Sequence, residues 1–119
     1  MDVTAIQRDL RKFAAEREWD KYHSPKNLSV ALAVEAAELM EIFQWVSPEE
    51  SSNVVHNAAK HADAEAELAD VLIYALRFAD VASIDIESAI AKKLESNALK
   101  YPPGSAHIGP FRGVESWHE

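Results

Sequence analysis

The chain has 119 residues, 48% of them hydrophobic, with a formal net charge of −8, three glycines, five prolines and no cysteine. That length holds one domain with a modest core, and the negative balance argues against a basic face for a nucleic-acid polymer. The lack of cysteine excludes a disulfide framework, a thiolate metal site and a cysteine nucleophile.

Thr4 followed by Gln7 has capping-box spacing. Ile6, Leu10, Phe13 and Ala14 recur at helical intervals, which predicts a first helix from about Ala5 to Trp19. DKYHSPKN interrupts the pattern, and Pro25 marks a break or a fresh start. The second predicted helix covers about Leu28 to Trp45. Its apolar residues, Val30, Val34, Leu39, Met40 and Phe43 among them, occupy more than one face. A helix apolar nearly all round calls for burial on several sides, and in so short a chain that points to a partner subunit. Ser47-Pro48-Glu49-Glu50 carries the signals of another helix start, while SSNVVHNAAKH is weakly patterned and leaves a loop open. A further helix is predicted from about Ala62 to Val81, with Leu68, Val71, Leu72, Ala75 and Phe78 facing the core. Asp85 caps a last helix, Ile86 to about Leu99, which Pro102-Pro103-Gly104 ends. No segment alternates as a strand does. The expected fold is all-α, a four-helix-type bundle over residues 1–102 with an irregular tail over 103–119, disordered or draped on a neighbouring chain.

Two acidic pairs stand out. Glu35 and Glu38, and Glu67 and Asp70, each have three-residue spacing, so each pair shares one helix face. Both sit in strongly apolar runs with no lysine one turn on to neutralise them. Like charges about 4 Å apart cost roughly 4 kcal/mol even at an effective dielectric of about 20. A divalent cation removes that cost, so a metal site between two helices is the reading that fits. All-oxygen ligands suit a hard cation: magnesium, with manganese as a substitute. A di-iron bundle would need Glu-x-x-His motifs on its helices, and the chain's sole example, Glu115 to His118, lies in the tail. Glu41 stands three residues beyond Glu38, placed to support the site or accept a proton; Asp63, Glu65 and Asp80 read as solvated. His56, His61, His107 and His118 show no ligand spacing.

The flanking words EREWDKYHSPKNL, ExxEL-x-EIFQW, ELADVLIY and K-x-x-x-N-x-x-KYP, around Glu-x-x-Glu and Glu-x-x-Asp, closely resemble the MazG-like all-α nucleoside triphosphate pyrophosphohydrolases, nearest their dCTP pyrophosphatase branch. The resemblance runs from about residue 7 to Pro102. It implies hydrolysis of a nucleoside triphosphate to monophosphate and pyrophosphate, a magnesium requirement, and a homo-oligomer, commonly a dimer of dimers. It also implies Glu35, Glu38, Glu67 and Asp70 as metal ligands and Trp19, His23, Trp45 and Tyr74 as pocket residues. Lys93 and Asn97 would lie near phosphate or sugar, reached from another subunit.

The residues allow the chemistry without the analogy. Phosphoanhydride hydrolysis is mostly positioning and charge neutralisation. A spare carboxylate, Glu38 first and Glu41 second, would take the proton of the attacking water. Lys26, Lys93 and Lys100 could offset the leaving group's charge, or be ordinary surface lysines. Trp19, Trp45 and Tyr74 could stack on a base or pack in a core. His23 could contact substrate or bond backbone. The expected protein is a cytoplasmic enzyme clearing nucleotides, with a dCTP-like pyrimidine preferred. The rivals are the same chemistry on another base, damaged purines included, and a non-catalytic helical oligomerisation module.

Overall fold

The computed structural model describes residues 1–104, and these are helical with no strand among them. In chain order the elements are α1 (Val3–Glu16), a 3₁₀ turn (Asp20–Tyr22), α2 (Pro25–Glu41), α3 (Pro48–Val54), α4 (Ala58–Val81) and α5 (Ile86–Lys100). The chain forms two compact units. One is Met1–Ile84; the other begins at Asp85 and carries α5.

Short-range chemistry sets most of the helix starts. Ser24 accepts from the Asn27 amide and Ser47 from the Glu50 amide, each followed by a proline at the first helical position. Asp85 caps α5 through the Ser88 amide. The start of α1 differs from the expected Thr4–Gln7 box. Asp2 is the cap, its carboxylate accepting from the Ala5 amide at 2.9 Å, where its negative charge also favours the helix N-terminus. Gln7 instead reaches across to α4 and donates to the Leu76 carbonyl at 3.0 Å.

Three boundaries also differ from the periodicity. The α2 ladder stops at Glu41: the amides of Ile42 and Phe43 bond three residues back, to Leu39 and Met40. Ser47, which precedes a proline and is extended (ψ 161°), then forces a new start. The segment 51–61 is not a single loop. It contains the end of α3 and the start of α4, which Asn57 caps by accepting from Ala59 and Lys60. The third boundary is α1, which ends at Glu16 rather than at Trp19.

Helices α1 and α4 end alike. The Trp19 amide bonds the Ala14 carbonyl at 2.9 Å, and the Ile84 amide bonds the Ala79 carbonyl at 2.8 Å. Each closure places the preceding residue in the left-handed region, Glu18 at φ 57° and Ser83 at φ 56°. The first closure turns the chain so that Trp19 and the 3₁₀ turn come back over the end of α1.

In the first unit α2 packs along α4, and α1 packs on α4 as well. The buried apolar side chains among the described residues are Ala14, Leu28, Leu76 and Ala79. The expected core face of α4 is displaced: Leu68 (50% exposed) and Leu72 (44%) lie at the surface of the single chain, while Leu76, Arg77 and Ala79 are buried. On α2, Val30 and Val34 are half exposed, and Ile90 and Leu94 of α5 are exposed too. The tail from residue 105 onward, with His107 and His118, lies outside the described residues. No helix among those described is long and apolar enough to cross a membrane.

Candidate metal and nucleotide site

Packing α2 against α4 brings three acids together. One carboxylate oxygen each from Glu35, Glu38 and Glu67 lies within 4.8 Å of the others. Glu35 Oε2 and Glu67 Oε2 are buried and have no hydrogen-bond partner. An ionised carboxylate only accepts, so a proton is the sole bridge these groups can supply to one another. Glu35 is accordingly pushed up to about 7: by hydrogen bonding with Glu38 first, then by burial, by hydrogen bonding with Glu67, and by repulsion from Glu38 and Asp70. Glu67 is raised as well, by burial above all, with Glu38 and Asp70 adding to it and a hydrogen bond to Glu35 opposing. Buried acceptors with no donor are costly. A hard divalent cation is the group their chemistry fits.

Asp70, one turn along α4 from Glu67, is outside this trio. It acts on Glu35 and Glu67 through its charge, and it lines an apolar cavity of about 400 Å³ next to Phe13, Trp19, His23, Tyr74 and Arg77. Three of those aromatic rings form one wall: Phe13 and Trp19 meet edge to face at 5.6 Å, and Trp19 and His23 are 6.2 Å apart. A second, polar groove of about 480 Å³ is lined by Glu38, Glu41, Lys60, Asp63 and Glu67. Glu38 and Glu67 therefore belong to both the cluster and the groove. Trp45 stands apart, 89% exposed in the turn after α2. Lys93 and Asn97 lie on α5, in the second unit. His61 bonds locally, with Nδ1 3.2 Å from the Val55 carbonyl and Nε2 3.7 Å from Glu65.

A model of the MazG-like family matches residues 30–109, two thirds of the sequence. The chain belongs to the MazG-like family. A pyrophosphatase from Archaeoglobus fulgidus has a solved structure that superposes with a TM-score of 0.80 at 44% identity, covering 86% of this chain and 94% of that one. Rat dCTP pyrophosphatase 1 (Rattus norvegicus) is 39% identical over 97 residues, 82% of this chain and 57% of that protein. The human protein of the same name (Homo sapiens) is 38% identical over 113 residues, 95% and 66% of the two lengths. This MazG-like chain thus spans somewhat over half the length of the curated relatives it matches.

Two charged residues differ from what the sequence predicts: Arg77, which no motif marks, and Asp80, which is paired rather than solvated. Arg77 is the buried charged side chain among the described residues, 8% exposed. Its Nη2 meets Asp20 Oδ1 at 2.9 Å and its Nε donates to His23 Nδ1 at 3.1 Å. Asp80, expected in solvent, accepts from Arg11 at 2.8 Å and lies 3.6 Å from Arg77. A single arginine in LRFAD carries no motif, and its partners Asp20 and His23 lie 57 and 54 positions upstream. The one available signal is the apolar setting, which gives a lone charge no partner on its own helix face except Asp80.

Proposed function

We propose that this chain hydrolyses nucleoside triphosphates to the monophosphate and pyrophosphate, with magnesium, or manganese in its place, held by Glu35, Glu38 and Glu67 and completed by Asp70. The observation that carries the proposal is the pair of buried, unpartnered oxygens on Glu35 and Glu67, two acids from two helices whose carboxylates, with that of Glu38, come within 4.8 Å of one another. Its family membership and the two dCTP pyrophosphatases and the archaeal pyrophosphatase among its relatives support the same class of reaction.

Bound there, the cation supplies charge neutralisation and Lewis acidity at the phosphates. The remaining steps belong to the chain. The aromatic wall of Phe13, Trp19, His23 and Tyr74 receives a flat base, for which stacking contributes roughly 1–3 kcal/mol per base. Glu38, on the edge between the trio and the polar groove, accepts the proton of a water as its oxygen attacks the α-phosphorus; Glu41, in the same groove, is the second candidate. The bond between the α-phosphorus and the bridging oxygen breaks, and pyrophosphate leaves with the electron pair. Lys93 and Asn97 would meet phosphate or sugar from a neighbouring subunit. A homo-oligomer, as a dimer of dimers, would cover the half-exposed Val30, Val34, Leu68 and Leu72, an apolar surface a lone chain leaves wet. The preferred base is a pyrimidine of the dCTP type, and the setting is the cytoplasm.

The test is a panel of deoxynucleoside triphosphates incubated with the protein and magnesium, with and without a chelator, read as pyrophosphate release. Metal-dependent release, greatest for dCTP, is the expected result. No release from any nucleotide would favour a non-catalytic oligomerisation module.

A further inference from the structure

Arg77 pairs with none of the three cluster acids, yet it is among the best-held side chains of the first unit. Asp20 holds its Nη2 at 2.9 Å, and Asp80 lies 3.6 Å from Nη1 while itself pinned by Arg11 at 2.8 Å. The guanidinium therefore ties α1, α4 and the 3₁₀ turn together and has little freedom to rotate. Its third nitrogen, Nε, donates to His23 Nδ1 at 3.1 Å.

That contact fixes a proton. A guanidinium nitrogen has a hydrogen and no acceptor capacity, so the imidazole nitrogen facing it must offer a lone pair. Nδ1 is then bare, and the ring's one proton sits on Nε2. Among the described residues no protein group bonds Nε2, and His23 lines the aromatic cavity with Trp19 and Tyr74. The neutral form is further favoured because His23 is held below its ordinary value, by burial first and by the Arg77 charge second, with Asp20 opposing.

We infer that Arg77 is a positioning residue that locks His23 as a neutral Nε2–H donor for the cavity, which thereby selects a flat heteroaromatic ring carrying an acceptor, a ring nitrogen or carbonyl oxygen, at its edge. This rests on the nucleotide reading for the identity of the ligand. Within that reading the acceptor edge is that of the nucleotide's base, held by stacking from the aromatic wall and by one oriented hydrogen bond. A histidine free to exchange tautomers would present a donor only part of the time and would discriminate less.

The deciding experiment combines nitrogen NMR of the histidine rings in the full chain with steady-state kinetics on dCTP. The wild-type protein should show His23 protonated on Nε2 alone. Arg77→Lys keeps a positive charge beside Asp80 but loses the fork; it should leave His23 a mixture of tautomers and raise KM about tenfold, the worth of one hydrogen bond, with a smaller effect on kcat. Among His23 variants, Gln places an amide nitrogen near the Nε2 position and should retain most of the affinity for dCTP, whereas Asn, which mimics Nδ1, should not. A wild-type ring protonated on Nδ1, or on both nitrogens at neutral pH, overturns the inference. So does Arg77→Lys with both tautomer and KM unchanged. Should Arg77→Lys fail to fold, the wild-type spectrum and the Gln–Asn contrast still decide. Turnover of dCTP with the wrong tautomer sinks this inference alone; an Nε2–H ring in a protein that turns over no nucleotide sinks the nucleotide reading and, with it, the ligand assigned here.

Discussion

The two ends of α4 treat charge in opposite ways. Near its C-terminal end, Arg77 and Asp80 are paired with Arg11, Asp20 and His23 at 2.8–3.6 Å. Ten residues earlier on the same helix, Glu67 meets Glu35 and Glu38, and buried oxygens of Glu67 and Glu35 find no partner among the described residues. Folding energy explains the first end: complementary groups close a turn and two helices around a guanidinium. It does not explain the second, where each added carboxylate makes its neighbours worse off. Charges that a chain leaves unsatisfied in its interior mark where something from outside must bind. Charges it satisfies mark what must not move.

The largest expected effect comes from the unsatisfied end. Glu38→Gln removes charge and proton-accepting ability at nearly constant shape, and should lower kcat at least about 100-fold with little change in folding, checked by pyrophosphate release and circular dichroism. Near-normal turnover would remove Glu38 from the mechanism. Two further variants should shift stability in opposite directions. Asp80→Asn leaves Arg77 and Arg11 short of a partner and should cost about 1–3 kcal/mol in denaturant unfolding, with magnesium affinity unaltered. Glu35→Gln relieves crowding, so the metal-free protein should melt higher than wild type at pH 8, and it should lose magnesium binding. A metal-free Glu35→Gln protein that melts lower would break the contrast between the two ends. The smallest effect belongs to Ser83, whose φ of 56° costs a side-chain-bearing residue about 1 kcal/mol. Ser83→Gly should recover about that much stability and leave turnover alone.

Much of this was legible in the sequence where the causes are local. Ser47 with Pro48, and Asp85 before the last helix, act within four residues of themselves. The Glu-x-x-Glu and Glu-x-x-Asp spacings put acids on one face of each helix whatever surrounds them. The trio itself needed only that α2 and α4 pack together. What was hidden depends on distance along the chain. Arg77 finds His23 and Asp20 across more than fifty residues, and Asp80 looks solvated until Arg11 is placed beside it. Leu68 and Leu72 read as core from helical periodicity, because period reports which residues share a face and not which face the single chain covers. Asp2 displaced Thr4 as the cap because either can bond an amide three residues on, and the aspartate adds its charge to the helix dipole.

The acid trio also sets a pH dependence whose sign is unambiguous. Glu35 is raised from 4.5 to about 7 in the folded, metal-free chain. Between those values the folded state holds a proton the unfolded state has released. Its contribution to stability is therefore present at and below about pH 4.5 and is lost as pH rises through about 7. A bound cation takes the proton's place and removes the dependence. The most direct measurement is the melting temperature from pH 5 to 8.5, with chelator and with excess magnesium or manganese. The chelated protein should lose stability from this cluster as pH climbs through about 7, and the metal should restore it, by about 2.7 kcal/mol at a hundredfold excess over Kd. A melting temperature indifferent to both cations at every pH would contradict the metal site on which the proposed chemistry depends.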